Sequence, residues 1–239
     1  MNKKNFLIRR LLIHTNMPFD GNGADLRRAV TACFKDIPVL HNHNGAGFDY
    51  RSPRVRYLVV KGVPQIVSFG SGATIVEYLY RKRFDLRVAD CYYKITGVEL
   101  VDDLVTVGGG HELMSYESQT PWLALNQKNN AIYCGFLKQI ERRHFLERIL
   151  VGNYLSLCKT LGIFLEERVT ASLDDWKQID VSDKGISMRG FIVKYHSNML
   201  LPFGLGLGKW VAKGFGLMNV VKEREVGHFV SAGLKKKEL

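Results

Sequence analysis

The chain has 239 residues, of which 46% are hydrophobic, and its formal net charge is +11. This composition supports a folded core and excludes an intrinsically disordered chain. The positive charge indicates a polyanionic partner, either nucleic acid or an acidic membrane surface. No apolar run approaches the roughly 18 residues of a membrane span, so we expect no membrane partner.

Targeting and metal signals are also missing from the sequence. Arg9 and Arg10 interrupt the apolar stretch near the N-terminus, which argues against a signal peptide. The four cysteines lie far apart and form no C-x-x-C pair; they are Cys33, Cys91, Cys134 and Cys158. This spacing indicates neither a zinc ribbon nor a disulfide framework. We therefore expect a soluble cytoplasmic protein with reduced thiols, no cofactor and no metal.

The N-terminal half shows the element order β-α-β-β-α-β. The predicted elements are a strand over Asn5–Thr15, a helix over Asp25–Phe34, a hairpin over Val55–Phe69, a helix over Thr74–Phe84 and a strand over Leu86–Val101. Residues 39–52 are rich in Asn, Gly and His and predict a loop or a very short element. The order is that of the ferredoxin-like fold, which RNA-recognition modules also use.

The C-terminal half is interpreted as a varied second copy of this architecture. Gly108–Gly110 predict a loop, and the domains are placed at 1–104 and 105–239. The predicted elements are a strand over Leu113–Leu125, a broken helical segment over Asn126–Leu161, a hairpin formed by Glu167–Ile179 and Lys184–Tyr195, and a strand over Leu217–Val221. Lys235–Lys237 are expected to be disordered. The predicted fold class is α+β, with two tandem ferredoxin-like domains and a C-terminal Gly-rich loop.

The stretch from Leu201 to Gly216 is rich in glycine and lysine. Glycine allows backbone N–H groups to approach a ligand, successive N–H groups form anion sites, and lysine adds a point charge. A Walker A loop is excluded because Phe203 and Trp210 occupy its essential positions, and Lys209 breaks the dinucleotide fingerprint. We hypothesise that the stretch binds RNA phosphates through Gly206, Gly208, Lys209, Lys213, Gly214 and Gly216. The alternative is a flexible hairpin without a ligand.

A histidine pair supplies the candidate chemistry. His41 and His43 lie in a polar segment that Tyr50 follows, and the basic residues after it are Arg51, Arg54 and Arg56. RNA carries its own nucleophile, the 2′-hydroxyl, so two imidazoles can act as general base and general acid without a metal. Tyr50 is a candidate to orient the base or bind the phosphate, while the arginines stabilise its charge.

Other interpretations of these residues stay open. His-x-His is also a metal-ligand spacing, for which Asp49 is the near carboxylate, and a solvated or structural pair is a further alternative. Tyr50 is also suited to packing. The remaining histidines are isolated, namely His14, His111, His144, His196 and His228. Only His14, at the end of the first predicted strand, is placed where it could face a site.

Four parts of the chain resemble the CRISPR-associated repeat-processing endoribonucleases, and specifically their b-type. The glycine stretch Gly206–Gly216 is similar to the family signature, and so are Thr120–Asn126 and Arg148–Ser156. His41, His43 and Tyr50 match the b-type catalytic pattern. The departures are Trp210, which is suited either to stacking on a base or to the core, Ala212, and Lys213 in place of Arg.

The resemblance implies a function. It implies metal-independent cleavage of CRISPR precursor RNA within repeats, which leaves a 2′,3′-cyclic phosphate and a 5′-hydroxyl. The implied partner is CRISPR repeat RNA; other effector-complex subunits and a second copy of the chain are further candidates that the sequence leaves open. The alternative is a non-catalytic RNA-binding subunit of an effector complex. Two further alternatives are a metal-dependent phosphodiesterase and a nucleotide-binding metabolic enzyme, the latter suggested by Gly70–Gly72.

Overall fold

The structure, a computed structural model, describes residues 3–41, 53–221 and 235–238, with His41, Ser71, His111 and 235–238 described by backbone alone. Two units result. The N-terminal unit comprises Phe6–Val105, Ala212–Gly214 and the strand at 235–238, and the C-terminal unit comprises residues 3–5, Thr106–Val211 and 215–221. Three residues of the glycine stretch, Ala212–Gly214, therefore belong to the unit that is built mainly from the first half of the chain.

The N-terminal unit is a ferredoxin-like domain. Its elements are β1 (Lys3–Thr15), α1 (Gly23–Cys33), α2 (Pro38–His41), β2 (Val55–Val60), β3 (Val63–Phe69), α3 (Ala73–Tyr80), β4 (Leu86–Val88), β5 (Cys91–Tyr93) and β6 (Ile95–Ser118). The sheet order is β2-β3-β1-β6, and β3 is antiparallel to both β1 and β2. The two long helices follow β1 and β3, as the β-α-β-β-α-β order requires.

Helix α1 illustrates how local sequence produces this domain. The Asn22 side chain accepts from the N–H groups of Ala24 and Asp25, and the Asp25 carboxylate accepts from the Asn22 N–H, which is a capping box. Leu26 and Val30, four residues apart, are fully buried on the same face of the helix. They pack in the core with sheet residues such as Leu11.

The C-terminal unit repeats the sheet order with one helix exchanged for a loop. Its further elements are α4 (Gln127–Gly135), α5 (Gln139–Leu161), β7 (Ala171–Asp183), β8 (Ile186–Leu200) and β9 (Met218–Val220). The antiparallel order is β9-β6-β8-β7, with β6 contributing its residues from Thr106 onward. Between β8 and β9, where the fold has its second helix, lies the glycine stretch with a single 3₁₀ turn at Val211–Lys213.

Aromatic residues build the core of the C-terminal unit. The rings of Tyr116 and Tyr195 stack with centroids 5.2 Å apart, and the hydroxyls of Tyr154 and Tyr195 are 2.7 Å apart. Trp122 and Phe191 are fully buried beside them. Because each buried hydroxyl has a polar partner, these rings contribute apolar area without an unsatisfied group.

The predicted fold class is confirmed as α+β with tandem ferredoxin-like domains and a C-terminal Gly-rich loop. Three local predictions are wrong. Gly108–Gly110 form no loop but lie inside β6, where the pairing with β8 shifts register between Gly109 and Met114, so these glycines mark a β-bulge. The strand predicted over Leu86–Val101 is divided into the β4–β5 hairpin and the start of β6. The expected disordered tail contains strand β10 (Lys235–Glu238), which is antiparallel to β6.

The break predicted within Asn126–Leu161 is present, and residues 136–138 form it between α4 and α5. The polar residues 141–144 do not interrupt the helix and lie within α5. Within the described ranges, no helix combines the length and the apolar character that crossing a bilayer requires.

Candidate nucleic-acid interface

The glycines of the C-terminal unit are required by close backbone packing. Gly208 has φ +87°, and a Cβ atom there would lie 2.8 Å from the Leu123 carbonyl oxygen and 2.9 Å from the Trp122 indole. Gly216 has φ +70°, and a Cβ atom would overlap the Leu207 carbonyl oxygen. A side chain at either position would therefore be excluded by both conformation and space.

Several N–H groups of the stretch already donate to backbone carbonyls. The Leu207 N–H donates to Gly216, the Lys209 N–H to Leu123, and the Gly216 N–H to Pro121. These three groups hold the loop together and do not form an open anion cradle. Gly206 is buried as well, whereas the Lys209 side chain is exposed. In this part of the stretch the Lys209 ammonium is therefore the predicted RNA contact that lies on the surface.

Trp210 is a core anchor, one of the two roles that the sequence left open. Its backbone has φ +53°, which a non-glycine residue rarely adopts. The half-buried ring lies 5.8 Å from that of Phe215, and both pack with Leu123 and Val181. The left-handed backbone turns the indole into this cluster.

Trp122 joins the glycine stretch to helix α5. Its indole is fully buried against Gly208, and its Nε1–H donates to the Asn153 Oδ1 atom at 2.9 Å. Beside this contact a cleft of about 310 Å³ opens, lined by Asn126, Asn129, Gly152, Asn153, Gly208 and Lys209 among others. Three of the four parts of the chain that carry the family resemblance, Thr120–Asn126, Arg148–Ser156 and Gly206–Gly216, line this cleft. We assigned no role to the asparagines from the sequence, because single amide side chains give no pattern.

The tip of the stretch packs within the N-terminal unit. Gly214 has φ +83°, and a Cβ atom there would lie 2.6 Å from the Tyr57 carbonyl oxygen. The Gly23 Cα, at the start of α1, approaches the Lys213 carbonyl so closely that a Cβ atom would overlap it. The backbone of Lys213 and Gly214 is therefore fixed against β2 and α1, and the Lys213 side chain is half-buried.

Tyr57 connects this tip to the segment that carries the histidine pair. Its hydroxyl donates to the Leu40 carbonyl oxygen at 3.1 Å, inside the core, and burial raises its pKa. Leu40 precedes His41, the last residue of α2. The His41 side chain, His43, Tyr50 and Arg51 lie outside the described residues. The sequence did not single out Tyr57, since it is one of several apolar residues of a predicted strand.

The two described arginines of the predicted basic patch differ in location. Arg54 is exposed. Arg56 is fully buried, its guanidinium lies 5.2 Å from the centre of the Phe69 ring, and burial lowers its pKa. Of the pair, Arg54 lies on the surface just before β2, whereas Arg56 lies within β2, whose first four residues are all buried.

Two of the isolated histidines pair with carboxylates. His14 Nε2 lies 3.6 Å from Glu99 Oε2, and His196 Nδ1 lies 2.8 Å from Asp174 Oδ2. Each pair joins residues of neighbouring strands, which is a structural role. His144 is exposed on α5.

Two protein-family models match the chain, one over each half. The family model of the Cas6b N-terminal domain matches residues 6–106, and that of the Cas6b C-terminal domain matches residues 108–221. A crystal structure of Cas6b has a TM-score of 0.81 and 29% identity, covering 91% of this chain and 100% of that one. A second, of the CRISPR RNA processing endoribonuclease Cas6b, has a TM-score of 0.70 and 28% identity with the same coverage.

Among curated proteins, an uncharacterized protein of Methanocaldococcus jannaschii is 35% identical over 137 residues, which are 57% of this chain and 88% of that protein. Two tandem ferredoxin-like domains are the architecture of the CRISPR RNA-processing proteins to which the chain is similar. The chain belongs to the Cas6b family, whose two domain models together cover most of it.

Proposed function

We propose that the chain cleaves CRISPR precursor RNA within its repeats, without a metal, by attack of the RNA's own 2′-hydroxyl. Membership of the Cas6b family makes the chain a CRISPR RNA-processing endoribonuclease. The finer proposal concerns the chemistry. The 2′-oxygen attacks the adjacent phosphorus, the bond to the 5′-oxygen breaks, and the products carry a 2′,3′-cyclic phosphate and a 5′-hydroxyl.

The histidine pair divides the proton transfers in this proposal. One of His41 and His43 removes the 2′-hydroxyl proton, and the other, in its protonated form, gives a proton to the departing 5′-oxygen. Tyr50 orients the base or donates to the phosphate. Positive side chains stabilise the charge that develops on the phosphorane, and Arg51, Arg54 and Lys213 are the proposed donors. Lys209 is proposed to bind the RNA backbone. Arg56, being buried, supports β2 instead.

The observation that carries the proposal is the connection through Tyr57. Its carbonyl packs on Gly214 of the glycine tip, and its hydroxyl holds the carbonyl of Leu40, directly before His41. Within one unit the same residue therefore fixes the backbone next to Lys213 and the backbone that leads into the histidine pair. Such a shared support suits a site that has to hold a phosphate against two imidazoles, since small displacements of catalytic groups lower rates steeply.

The test is cleavage of a CRISPR repeat RNA in the presence of EDTA, beside the same RNA with a 2′-deoxy nucleotide just upstream of the scissile phosphate. We expect cleavage of the first RNA and not of the second. The variant carrying both His41→Ala and His43→Ala should bind the repeat and leave it intact. Undiminished cleavage by this variant would refute the roles of the histidines. Binding without cleavage by the unaltered chain would favour a non-catalytic RNA-binding subunit, provided that added divalent metal did not restore activity.

A further inference from the structure

The cleft beside the glycine stretch is lined by asparagine side chains to which the proposed cleavage step gives no role. We name it the amide cleft and define it by Asn126, Asn129, Gly152, Asn153, Gly208 and Lys209. Its volume, about 310 Å³, is at the small end of ligand pockets, which run from about 300 to 1,000 Å³. A cleft of this size suits one nucleotide and excludes a duplex.

The orientation of the Asn153 amide is fixed by its partner. The Nε1–H of Trp122 is only a donor, so the atom that faces it at 2.9 Å has to be the Oδ1 oxygen of Asn153. The Nδ2 group, with its two N–H bonds, is therefore the part of this side chain that remains for a ligand. The half-buried position of Asn153 on α5 keeps the amide from rotating freely.

The same argument fixes Asn126. Its Oδ1 oxygen accepts from the backbone N–H of Asn129 at 2.7 Å, which caps helix α4. Its Nδ2 group is again a donor. Lys209, at the end of the cleft formed by the glycine stretch, has only donors. Three of the lining side chains, those of Asn126, Asn153 and Lys209, therefore offer hydrogen-bond donors to a ligand. The two amide oxygens already accept the hydrogen bonds from Asn129 and Trp122 that hold the fold.

We propose that the amide cleft binds one unpaired guanine of the RNA; this inference rests on the proposed function. The Asn126 and Asn153 amides donate to O6 and N7, two adjacent acceptors on one edge of the base. Adenine presents an amino group where guanine has O6, so a donor would face a donor. Lys209 pairs with the phosphate of the same nucleotide. Reading an unstacked base by its edge is the common mode of sequence-specific RNA recognition.

Two substitutions separate recognition from folding. Asn153→Asp keeps an oxygen for the Trp122 indole, and Asn126→Asp keeps an oxygen for the helix cap, but each replaces the donating Nδ2 group by an acceptor. Gln127→Glu is the matched control. It makes the same amide-to-carboxylate change at the neighbouring exposed position of α4, outside the cleft lining. Thermal unfolding should give similar Tm values for all four proteins.

The first measurement is fluorescence anisotropy of the full chain with a CRISPR repeat RNA whose guanines are replaced one at a time by adenine or by inosine, which keeps O6 and N7. At one position we expect adenine to weaken binding about tenfold and inosine to have no effect. Asn153→Asp and Asn126→Asp should remove that difference or favour adenine, while Gln127→Glu should retain it. If no position responds in this way although the repeat binds and is cleaved, the amide cleft does not read guanine and the proposed function stands.

The second measurement does not depend on the repeat. Guanosine 5′-monophosphate should shift the side-chain amide resonances of Asn126 and Asn153 in ¹⁵N-labelled full chain, and adenosine 5′-monophosphate should shift them less. Equal shifts with both nucleotides, or none, would overturn the inference. A chain that binds guanosine 5′-monophosphate in this way but neither binds nor cleaves repeat RNA would instead overturn the proposed function.

Discussion

Tyr57 has two backbone partners that are distant in sequence, Gly214 through its carbonyl and Leu40 through its hydroxyl. The hydroxyl is the only part of the side chain that can be removed without creating a large cavity. Its loss leaves the Leu40 carbonyl without this donor inside the core, which costs about 1 kcal/mol. The end of α2, and with it the backbone of His41, then loses its tie to β2 and keeps local backbone hydrogen bonds such as that from Leu40 N–H to the Ile37 carbonyl.

We therefore expect Tyr57→Phe to act mainly on the chemical step. The free energy of unfolding should fall by about 1 kcal/mol, and the single-turnover cleavage rate about tenfold, since displacement of catalytic groups lowers rates steeply. The Kd for repeat RNA should change less than twofold. Denaturant titration, single-turnover cleavage and anisotropy measure the three quantities.

Tyr93→Phe is the matched control for this prediction. Tyr93 is equally buried in the same unit, and its hydroxyl contacts the backbone of Asp20 rather than of Leu40. The Tyr93→Phe variant should lose a similar amount of stability and keep the cleavage rate of the unaltered chain. If both variants lose the same fraction of activity, Tyr57 is an ordinary core residue and not a positioning residue.

A second prediction at the scale of one residue concerns Gly216. Alanine there would place a Cβ atom into the Leu207 carbonyl and would strain a backbone at φ +70°. We expect Gly216→Ala to lower the free energy of unfolding by about 2–3 kcal/mol. Gly135→Ala, at a glycine of α4 with open space around it, should leave stability unchanged or raise it. Equal urea midpoints for the two variants would contradict this account of the glycine stretch.

At the scale of elements, the sequence predicted strands and helices where periodicity was strong and failed where glycine was read without its context. The α1 pattern and the β2–β3 hairpin are confirmed because their apolar spacing matches one buried face. Gly108–Gly110 predicted a loop, but a bulge in a long strand also requires glycine, and only the pairing with β8 distinguishes the two.

The small β4–β5 hairpin depends on one carboxylate. The Tyr92 hydroxyl donates to Asp85, and so does the Ile95 N–H at 2.9 Å, which ties the hairpin to the start of β6. These hydrogen bonds, first that from Tyr92, lower the pKa of Asp85. A lowered folded-state pKa adds stability above the unfolded pKa of about 4, and this stability is lost as the pH falls through the folded value.

Asp85→Asn should therefore destabilise the chain by about 1 kcal/mol at pH 7, because a charged carboxylate accepts stronger hydrogen bonds than a neutral amide. The difference from the unaltered chain should shrink progressively below about pH 4. Urea titrations at several pH values measure it. Asp90→Asn, at the exposed turn of the same hairpin, should have no effect at any of them. If Asp85→Asn lowered the free energy of unfolding by the same amount at every pH, Asp85 would not be a carboxylate whose pKa is lowered by folding.

For the whole molecule, the candidate site was only partly predictable from the sequence. Lys209 was chosen for its charge and lies on the surface, but Arg56, chosen for the same reason, is buried in the core-facing part of β2. Asn153 lies in a segment that resembles the family, but the sequence assigned it no role, since its orientation depends on Trp122, 31 residues away in the chain. The charge of a residue can be read from the sequence, whereas its exposure and orientation depend on tertiary contacts.

Not all of the 34 Lys and Arg side chains are available to RNA. Arg9 forms a paired contact with Asp102 at 2.7 Å and a further one with Glu77, and Arg10 pairs with Asp103. These guanidinium groups neutralise carboxylates of the same unit. Affinity for RNA should then depend on a smaller set of cations, to which Lys209 and Lys213 belong under the proposed function.

Salt dependence of binding tests this account directly. Each phosphate contact on single-stranded nucleic acid contributes roughly −0.7 to the slope of log K against log salt concentration. The variant with Lys209→Ala and Lys213→Ala should therefore show a slope shallower by about 1.4 than the unaltered chain, measured by anisotropy between low and moderate salt. Lys177→Ala, at an exposed position of β7, removes a charge without a proposed contact and should leave the slope unchanged. If the double variant binds more weakly at every salt concentration with the same slope, the two lysines support the loop and do not contact phosphate.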